Sequence, residues 1–500
     1  MLSLMSAPDA MRVRRLLRES GYTEEAVTER LKFVDPTASS LGSTAQELEL
    51  TREPSPLNFL LRWFWMGKPQ ERSAVEPWIP GWFCALAVDC GLFSQDGLTL
   101  IPQVMLLPVE GVYIASDHKT ASSPDLVLWP NPTSRVLSHF TVRKPVAATL
   151  DVGTGNGIQA LAAAGHSQSL VATDLNPRAI EFARFNARLN GVENLECRVG
   201  DGFHPVAGQS FDLIVSNPPF YITPSNDYVF CDNPMELDAL CRLFAREAAA
   251  HLNEGGYFQM LCEWAQVRGQ PWQHRIGEWF ETTGCNVMVF AGGVADPAEY
   301  AQKRIHKSAS ATVNDELYQG YMRYYHEKGV EAIHNGLVAM RRRSGDNWIE
   351  MRDVPQVPSE PFGESVLDAF AACDFLRSHS SDDQMLTLQP VLSPHARLEQ
   401  VLEPGPGRWQ SCSLNLRLIK GLPAFVALQP MVADFLAKCD GTRTLAELVR
   451  DLAAKANAPA HQVQKECLGI VRRMMEQGFL QSQAPQVGGI HLIQETLDSV

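Results

Sequence analysis

The sequence predicts an α/β chain built on a doubly wound parallel sheet, flanked by a helical domain before it and a winged-helix-like domain after it. Three observations carry this. Strands and helices alternate from about residue 149 to 262, the pattern of a parallel sheet covered on both faces. A glycine-rich stretch, Asp151-Val152-Gly153-Thr154-Gly155-Asn156-Gly157, closes the first of those strands. A helix–helix–strand pattern fills residues 440–480. At 500 residues the chain exceeds one ordinary domain. The expected parts are a helical accessory domain at 1–108, a catalytic domain at 109–353, a linker at 354–390 and a winged-helix-like domain at 391–500.

The elements follow in order. Met11, Leu16, Leu17, Val27 and Leu31 recur at helical spacing, interrupted by Gly21, with Thr23 placed to cap the second helix. Residues 55–105 are rich in Trp, Phe and Leu. Asp89 to Phe93 reads as a helix end, and Leu98 to Pro108 as short strands. In the sheet region the expected strands are Thr149–Val152, Leu170–Thr173, Cys197–Val199, Asp212–Ser216 and Tyr257–Cys262. The expected helices are Ile158–Ala164, Pro177–Leu189 and Met235–Leu252, the last followed by a Gly255-Gly256 turn. Pro355, Pro358 and Pro361 mark the linker, which flanks a helix at Val366–Leu376. Asp440-Gly441-Thr442-Arg443-Thr444 reads as a turn and cap before helix Leu445–Ala456. A second amphipathic helix is expected from Val463 to Gln477, ending at Gly478.

Composition narrows the class. The chain is 45% hydrophobic and 20% charged, as soluble globular proteins are. It holds no apolar run of about 18 residues, so no membrane span is expected. Met1 to Ala10 lacks the layout of a signal peptide. Its 11 cysteines form no Cys-x-x-Cys pair, which argues against a zinc ribbon and for reduced core thiols in a cytoplasmic protein. No metal cluster is expected. The net charge of −14 opposes bulk nucleic-acid binding. Residues 301–345 run the other way, with eight Lys or Arg against four Asp or Glu. This segment is either a solvated face or a contact surface for RNA or an acidic partner.

Two motifs carry chemistry. The first is the Asp-x-Gly-x-Gly-x-Gly loop, in which glycines let the backbone turn sharply and approach a ligand. Its spacing differs from the dinucleotide fingerprint and suits a cofactor with an amino acid tail and no phosphate. Asp174 follows at the end of the next strand, where a carboxylate can accept both ribose hydroxyl hydrogens. Read alone, it would equally be a helix cap before Pro177. Asp201, in Gly200-Asp201-Gly202, can accept adenine amino hydrogens, or it is an ordinary turn residue. The second motif is Asn217-Pro218-Pro219-Phe220. The Asn217 side-chain oxygen and the Pro218 carbonyl can accept both hydrogens of a planar nitrogen. Its lone pair then faces an electrophile, and the charge developing on nitrogen is stabilised. The prolines remove donors and stiffen the loop, and Phe220 can stack on a planar group.

With these residues in place, the chain resembles the class I SAM-dependent methyltransferases, in particular the HemK/PrmC glutamine methyltransferase group. The resemblance spans about residues 109–265. Thr173-Asp174-Leu175-Asn176-Pro177-Arg178-Ala179 is similar to the family's Thr-Asp-Ile-Asn-Pro-x-Ala. Asn217 to Pro224 is similar to Asn-Pro-Pro-Tyr-Val-Val-Thr-Pro of the eukaryotic and archaeal HemK-like branch, which methylates a glutamine amide in release factors. Phe220 in place of Tyr resembles instead the RsmC-type guanine-N2 methyltransferases of ribosomal RNA.

The resemblance implies a seven-stranded methyltransferase sheet and S-adenosylmethionine as cofactor. It implies cofactor contacts from Asp151, Gly153, Thr154, Gly155, Asn156, Gly157, Asp174, Leu175, Asp201, Gly202 and Asn217. Asn217, Pro218, Pro219 and Phe220 take the catalytic role. The expected function is methyl transfer to a protein glutamine side chain, with a translation release factor as the type partner. The alternatives are a base N-methyltransferase acting on adenine N6 or guanine N2 in RNA or DNA, and a non-catalytic SAM-binding adaptor.

Overall fold

The computed structural model describes residues 2–32, 35, 37, 44–119, 121, 123–224, 235–305, 311–354 and 358–482. Pro355, expected in the linker, lies outside them. Contacts divide the chain into two compact units, Met1–Pro355 with Ser359–Pro361, and Gln356–Pro358 with Phe362–Val500. No described helix is long and apolar enough to cross a membrane.

The first unit is built on one mixed sheet. Its strands are β1 (Val146–Val152), β2 (Ser167–Asp174), β3 (Leu195–Val199), β4 (Phe211–Ser216), β5 (Leu252–Val267), β6 (Cys285–Ala295), β7 (Val330–Arg342) and β8 (Ile349–Asp353). Their spatial order is β8-β6-β7-β5-β4-β1-β2-β3. β1 to β5 run parallel, and β7 enters antiparallel between β5 and β6. The sheet therefore has eight strands and not the expected seven. The extra strand, β8, pairs in parallel with β6 from Val287↔Ile349 to Ala291↔Asp353 and covers an edge that would otherwise expose unpaired backbone.

The expected Gly255-Gly256 turn lies instead inside β5, where pairing with β4 jumps between Leu252 and Tyr257. Gly255 takes φ +76° there, so the glycines kink the strand without ending it. Residues Gly256 to Ala265 of β5 are continuously buried, as a central strand covered on both faces should be.

Helices α1 (Ala7–Glu19) and α2 (Glu24–Leu31) open the chain, and the Thr23 hydroxyl accepts from Ala26 N to start the second. Around the sheet lie α3 (Pro132–Phe140), α4 (Ile158–Ala163), α5 (Pro177–Asn190), α6 (Ala239–Ala250), α7 (Pro297–Arg304) and α8 (Ala311–Lys328). Residues before β1 share a hydrophobic core with α4 and α5: one buried cluster runs from Met5 and Leu17 through Phe64 and Ile114 to Ile158, Phe182 and Phe185. The hairpin Met105–Val109 and Val112–Ser116 docks its free edge on α5. There Asn186 and Asn190 pair their side-chain amides with the backbone of Ala115 and Tyr113. This satisfies an edge that would otherwise be left open.

The second unit contains α9 (Gly363–Ser378), α10 (Leu445–Ala456) and α11 (Ala460–Glu476), the last two sharing a core with Leu448, Val449, Val471 and Met474. Asp440 Oδ1 accepts from Thr442 N at 2.9 Å. Thr444 and Glu447 form a reciprocal capping box at the start of α10. Strand Leu480–Ser482 returns to pair with Pro390–Leu392. A long hairpin, Ala396–Gly405 with Arg408–Leu418, joins a third strand, Phe425–Ala427.

Candidate cofactor and acceptor site

The carboxyl ends of β1, β2, β3 and β4 meet at one cavity of about 330 Å³. Ligands of open α/β sheets bind at this edge. The glycine loop leaves β1 and turns back through left-handed conformations at Gly153, Gly155 and Gly157 (φ +71°, +55° and +87°). At Gly157 a Cβ would sit 3.1 Å from the Ala183 backbone of α5, so only glycine lets loop and helix approach this closely.

Asp151 lies beneath that loop, fully buried, with Oδ2 accepting from Thr154 Oγ1 at 2.6 Å and Ala160 N at 3.1 Å. Burial pushes its carboxyl up to about 7, against the pull of those two donors. Asp151 thus shapes the loop from below, while Gly153, Thr154, Gly155 and Asn156 face the cavity.

Asp174 ends β2. Its Oδ2 accepts from Gly155 N and its Oδ1 from Asn176 N, both at 2.8 Å. The cap of α5 is Asn176, whose side chain accepts from Arg178 N, so Asp174 does not serve as that cap. Each Asp174 oxygen keeps acceptor capacity, and the residue lines the cavity. Burial raises this carboxyl above its ordinary range, and the two backbone donors oppose the shift. Leu175, Asp201 and Gly202 complete this end of the cavity.

At the other end, Ser216 Oγ donates to the Val152 carbonyl at 2.8 Å, locking β4 to β1. The chain then enters Asn217-Pro218-Pro219-Phe220. Asn217 and Pro219 line the cavity. Pro218 is buried behind them, and the buried Phe220 ring packs edge-on against Tyr221, with centroids 5.3 Å apart. Asn217 Oδ1 is buried and has no hydrogen-bond partner among the described residues. An orphaned acceptor at a cavity wall is where a ligand N–H belongs.

The wall not foreseen is the strap Leu126–Trp129 with Asn131 and Ser134 of α3. It is held down by Asn156 Nδ2 donating to Leu128 O at 2.8 Å, by Asn176 Nδ2 donating to Asp125 O at 2.8 Å, and by the Arg178–Asp117 ion pair at 2.6 Å. The signal available was Asn131-Pro132, a cap with proline in the first helical turn; Asn131 Oδ1 accepts from Ser134 N at 3.0 Å.

Among the described residues, the cavity lining contains two carboxylates, Asp174 and Asp201, and no Lys, Arg or His. That charge fits a cationic, phosphate-free ligand, and Asn217 offers the polar contact that the protein itself leaves open. The residues present therefore fit S-adenosylmethionine, which carries a sulfonium and an ammonium.

The family profile "Methyltransferase small domain" matches residues 131–283, and a domain of unknown function (DUF7782) matches 368–482. A release factor glutamine methyltransferase of Xylella fastidiosa is 35% identical over 143 residues, covering 26% of this chain and 50% of that protein. The protein of the same name from Deinococcus radiodurans is 37% identical over 195 residues, 33% of this chain and 65% of that one. A ribosomal RNA small subunit methyltransferase C of Idiomarina loihiensis is 30% identical over 162 residues, 32% of this chain and 43% of that one. The chain thus spans about half the length of the curated relatives it matches. It carries a class I SAM-dependent methyltransferase domain of the HemK-like group, with S-adenosylmethionine as its cofactor.

Proposed function

We propose that this protein transfers a methyl group from S-adenosylmethionine to the side-chain amide nitrogen of a protein glutamine, of the kind the release factor methyltransferases modify. The observation that carries the reading is Asn217 Oδ1, a buried acceptor without a partner at the cavity wall. An amide nitrogen is a poor nucleophile because its lone pair is delocalised. The Asn217 oxygen accepts one N–H. That turns the lone pair toward the cavity and stabilises positive charge as it develops on nitrogen. The surplus proton leaves to solvent after transfer. When bound, the cofactor supplies an electrophilic methyl on sulfur. Likeness to release factor glutamine methyltransferases supports the substrate class.

A second reading, a base N-methyltransferase, is favoured by the likeness to the ribosomal RNA enzyme and by Phe220. The basic triplet Arg341-Arg342-Arg343 gives it little support. Arg341 pairs with Tyr257, which sits opposite Leu213, below the strand end that carries Asn217. Arg342 Nη1 is taken by the Thr283 carbonyl at 2.7 Å.

The test is transfer of radiolabelled methyl from S-adenosylmethionine into lysate from a strain lacking the protein, split by protease and by nuclease. Protease-sensitive label supports the glutamine reading, and nuclease-sensitive label moves it to a base. Binding without any label would favour an adaptor.

A further inference from the structure

Five residues past Asn217, at Ile222, both backbone groups are held by tyrosine hydroxyls from distant elements. Ile222 N donates to Tyr300 Oη of α7 at 3.2 Å, and Tyr325 Oη of α8 donates to Ile222 O at 2.8 Å. Ile222 and Tyr325 are fully buried, and Tyr300 is 4% exposed. The preceding residue, Tyr221, lies under the Arg304 guanidinium, 3.5 Å from cation to ring centroid. Arg304 in turn pairs with Glu263, a β5 carboxylate that is 3% exposed and also accepts from Tyr300 Oη. Met260 of β5 pairs with Ser216, so Glu263 stands beyond the end of β4, level with the loop that follows it.

The cofactor cavity uses none of these groups. Burying a carboxylate is costly even when it is paired, so its presence calls for a use. The geometry offers one. Because the Tyr300 hydroxyl spends its proton on Glu263, its oxygen is turned to accept from Ile222 N. Two prolines leave the Asn217–Phe220 loop without donors at positions 218 and 219, so Ile222 is a place where it can be tied by both backbone groups.

We propose that Glu263, Tyr300, Arg304 and Tyr325 are positioning residues that brace the acceptor loop and set where Asn217 Oδ1 points. This rests on the reading of that loop as the acceptor end of a methyltransferase site.

The test uses Y300F and Y325F in the full chain, each deleting one oxygen and keeping the ring. Three quantities are measured: amide exchange of the peptide spanning 218–224, S-adenosylmethionine Kd, and the initial rate of labelling of lysate at saturating cofactor. The expected result is exchange at least tenfold faster in that peptide, labelling at least tenfold slower, and Kd within twofold of wild type. Unchanged exchange, an unchanged rate, or a Kd that loosens in step with the rate would overturn the brace. R304K, which keeps the charge, should recover part of the rate lost in R304M. If Y300F does not fold, Y325F decides the matter. A wild type that binds cofactor yet labels nothing would remove the transferase reading, and the exchange result would still decide the brace.

Discussion

Replacing Asp174 with alanine removes the acceptor best placed for a ribose. Its two oxygens each take one backbone N–H at 2.8 Å, from Gly155 and Asn176, and keep lone pairs for the ligand. Two charge-assisted bonds to ribose hydroxyls contribute on the order of 3–5 kcal/mol together. Alanine also leaves Gly155 N without its partner and loosens the loop that the ligand must meet. At 1.4 kcal/mol per decade, Asp174→Ala should weaken S-adenosylmethionine binding by about 10²–10³·⁵-fold, measured by titration calorimetry. Asp174→Asn keeps the shape, yet it must aim an amide donor at one of two backbone donors, so it too should bind poorly. The pH dependence follows from the same carboxylate. Burial raises its pKa in the free protein, and ribose hydroxyls favour the anion, so binding releases a proton. Affinity should be full above the raised pKa and fall as pH drops through it, and D174A should lose this group's part of that acid limb. A folded D174A, judged by circular dichroism, that binds within threefold of wild type would refute the ribose assignment.

Three further outcomes follow from the site. Asn217→Ala should cut methyl transfer by about 10²–10³-fold, the scale for losing one aligned transition-state contact, with Kd for cofactor kept within threefold. Parallel loss of both would place Asn217 in cofactor binding alone. Asp151, with its carboxyl raised to about 7, binds a proton in the folded state that the unfolded chain releases near 4. Its contribution to stability is therefore lost as pH rises from about 4 to 7, on the order of 4 kcal/mol. Asp151→Asn cannot ionise, so the melting temperature of D151N relative to wild type should climb by about 5 °C between pH 4.5 and 8 by calorimetry. A difference that stays flat with pH would contradict a buried, titrating Asp151. Trp129→Ala should weaken cofactor binding by about 3–10-fold, the worth of one aromatic wall; unaltered Kd would show that the strap is not part of the binding surface.

The glycine loop and the strand-end acids that line the cavity were legible because their constraints are local. Glycines that must take positive φ and acids at strand ends repeat at each βα junction, so Gly155, Asp174 and Asp201 announce themselves. The strap did not, since Leu126 to Trp129 is an apolar run with no period, and only its tethers at Asn156 and Arg178 give it a role. β8 was missed because Ile349-Glu350-Met351-Arg352-Asp353 is short and half charged, the composition of an edge strand and of a loop alike. The hairpin at 396–418 is largely exposed on both strands and shows no buried face to read. Glu263, Tyr300 and Tyr325 lie 41, 78 and 103 residues from the backbone or side chains they serve around Ile222, and no spacing rule reaches across such separations.

The brace and the orphaned acceptor bear on each other energetically. A buried acceptor left without a donor costs about 1–3 kcal/mol, and a loop free to move would relieve it by turning the amide toward water or backbone. Asn217 Oδ1 stays buried and unpaired, so something must hold the loop against that relief. Ser216 Oγ on the Val152 carbonyl holds it from the cofactor side, and the two tyrosine hydroxyls on Ile222 hold it from the other. Asn217 stands just past the end of β4, which pairs with β1 on one side and β5 on the other. A donor from a ligand meets that acceptor without any movement of the loop. On the proposed reading, a loop pinned at both ends around an unmet acceptor would take a planar nitrogen in a single orientation, and the stability lost at Asn217 in the free protein would return as alignment when the acceptor nitrogen arrives.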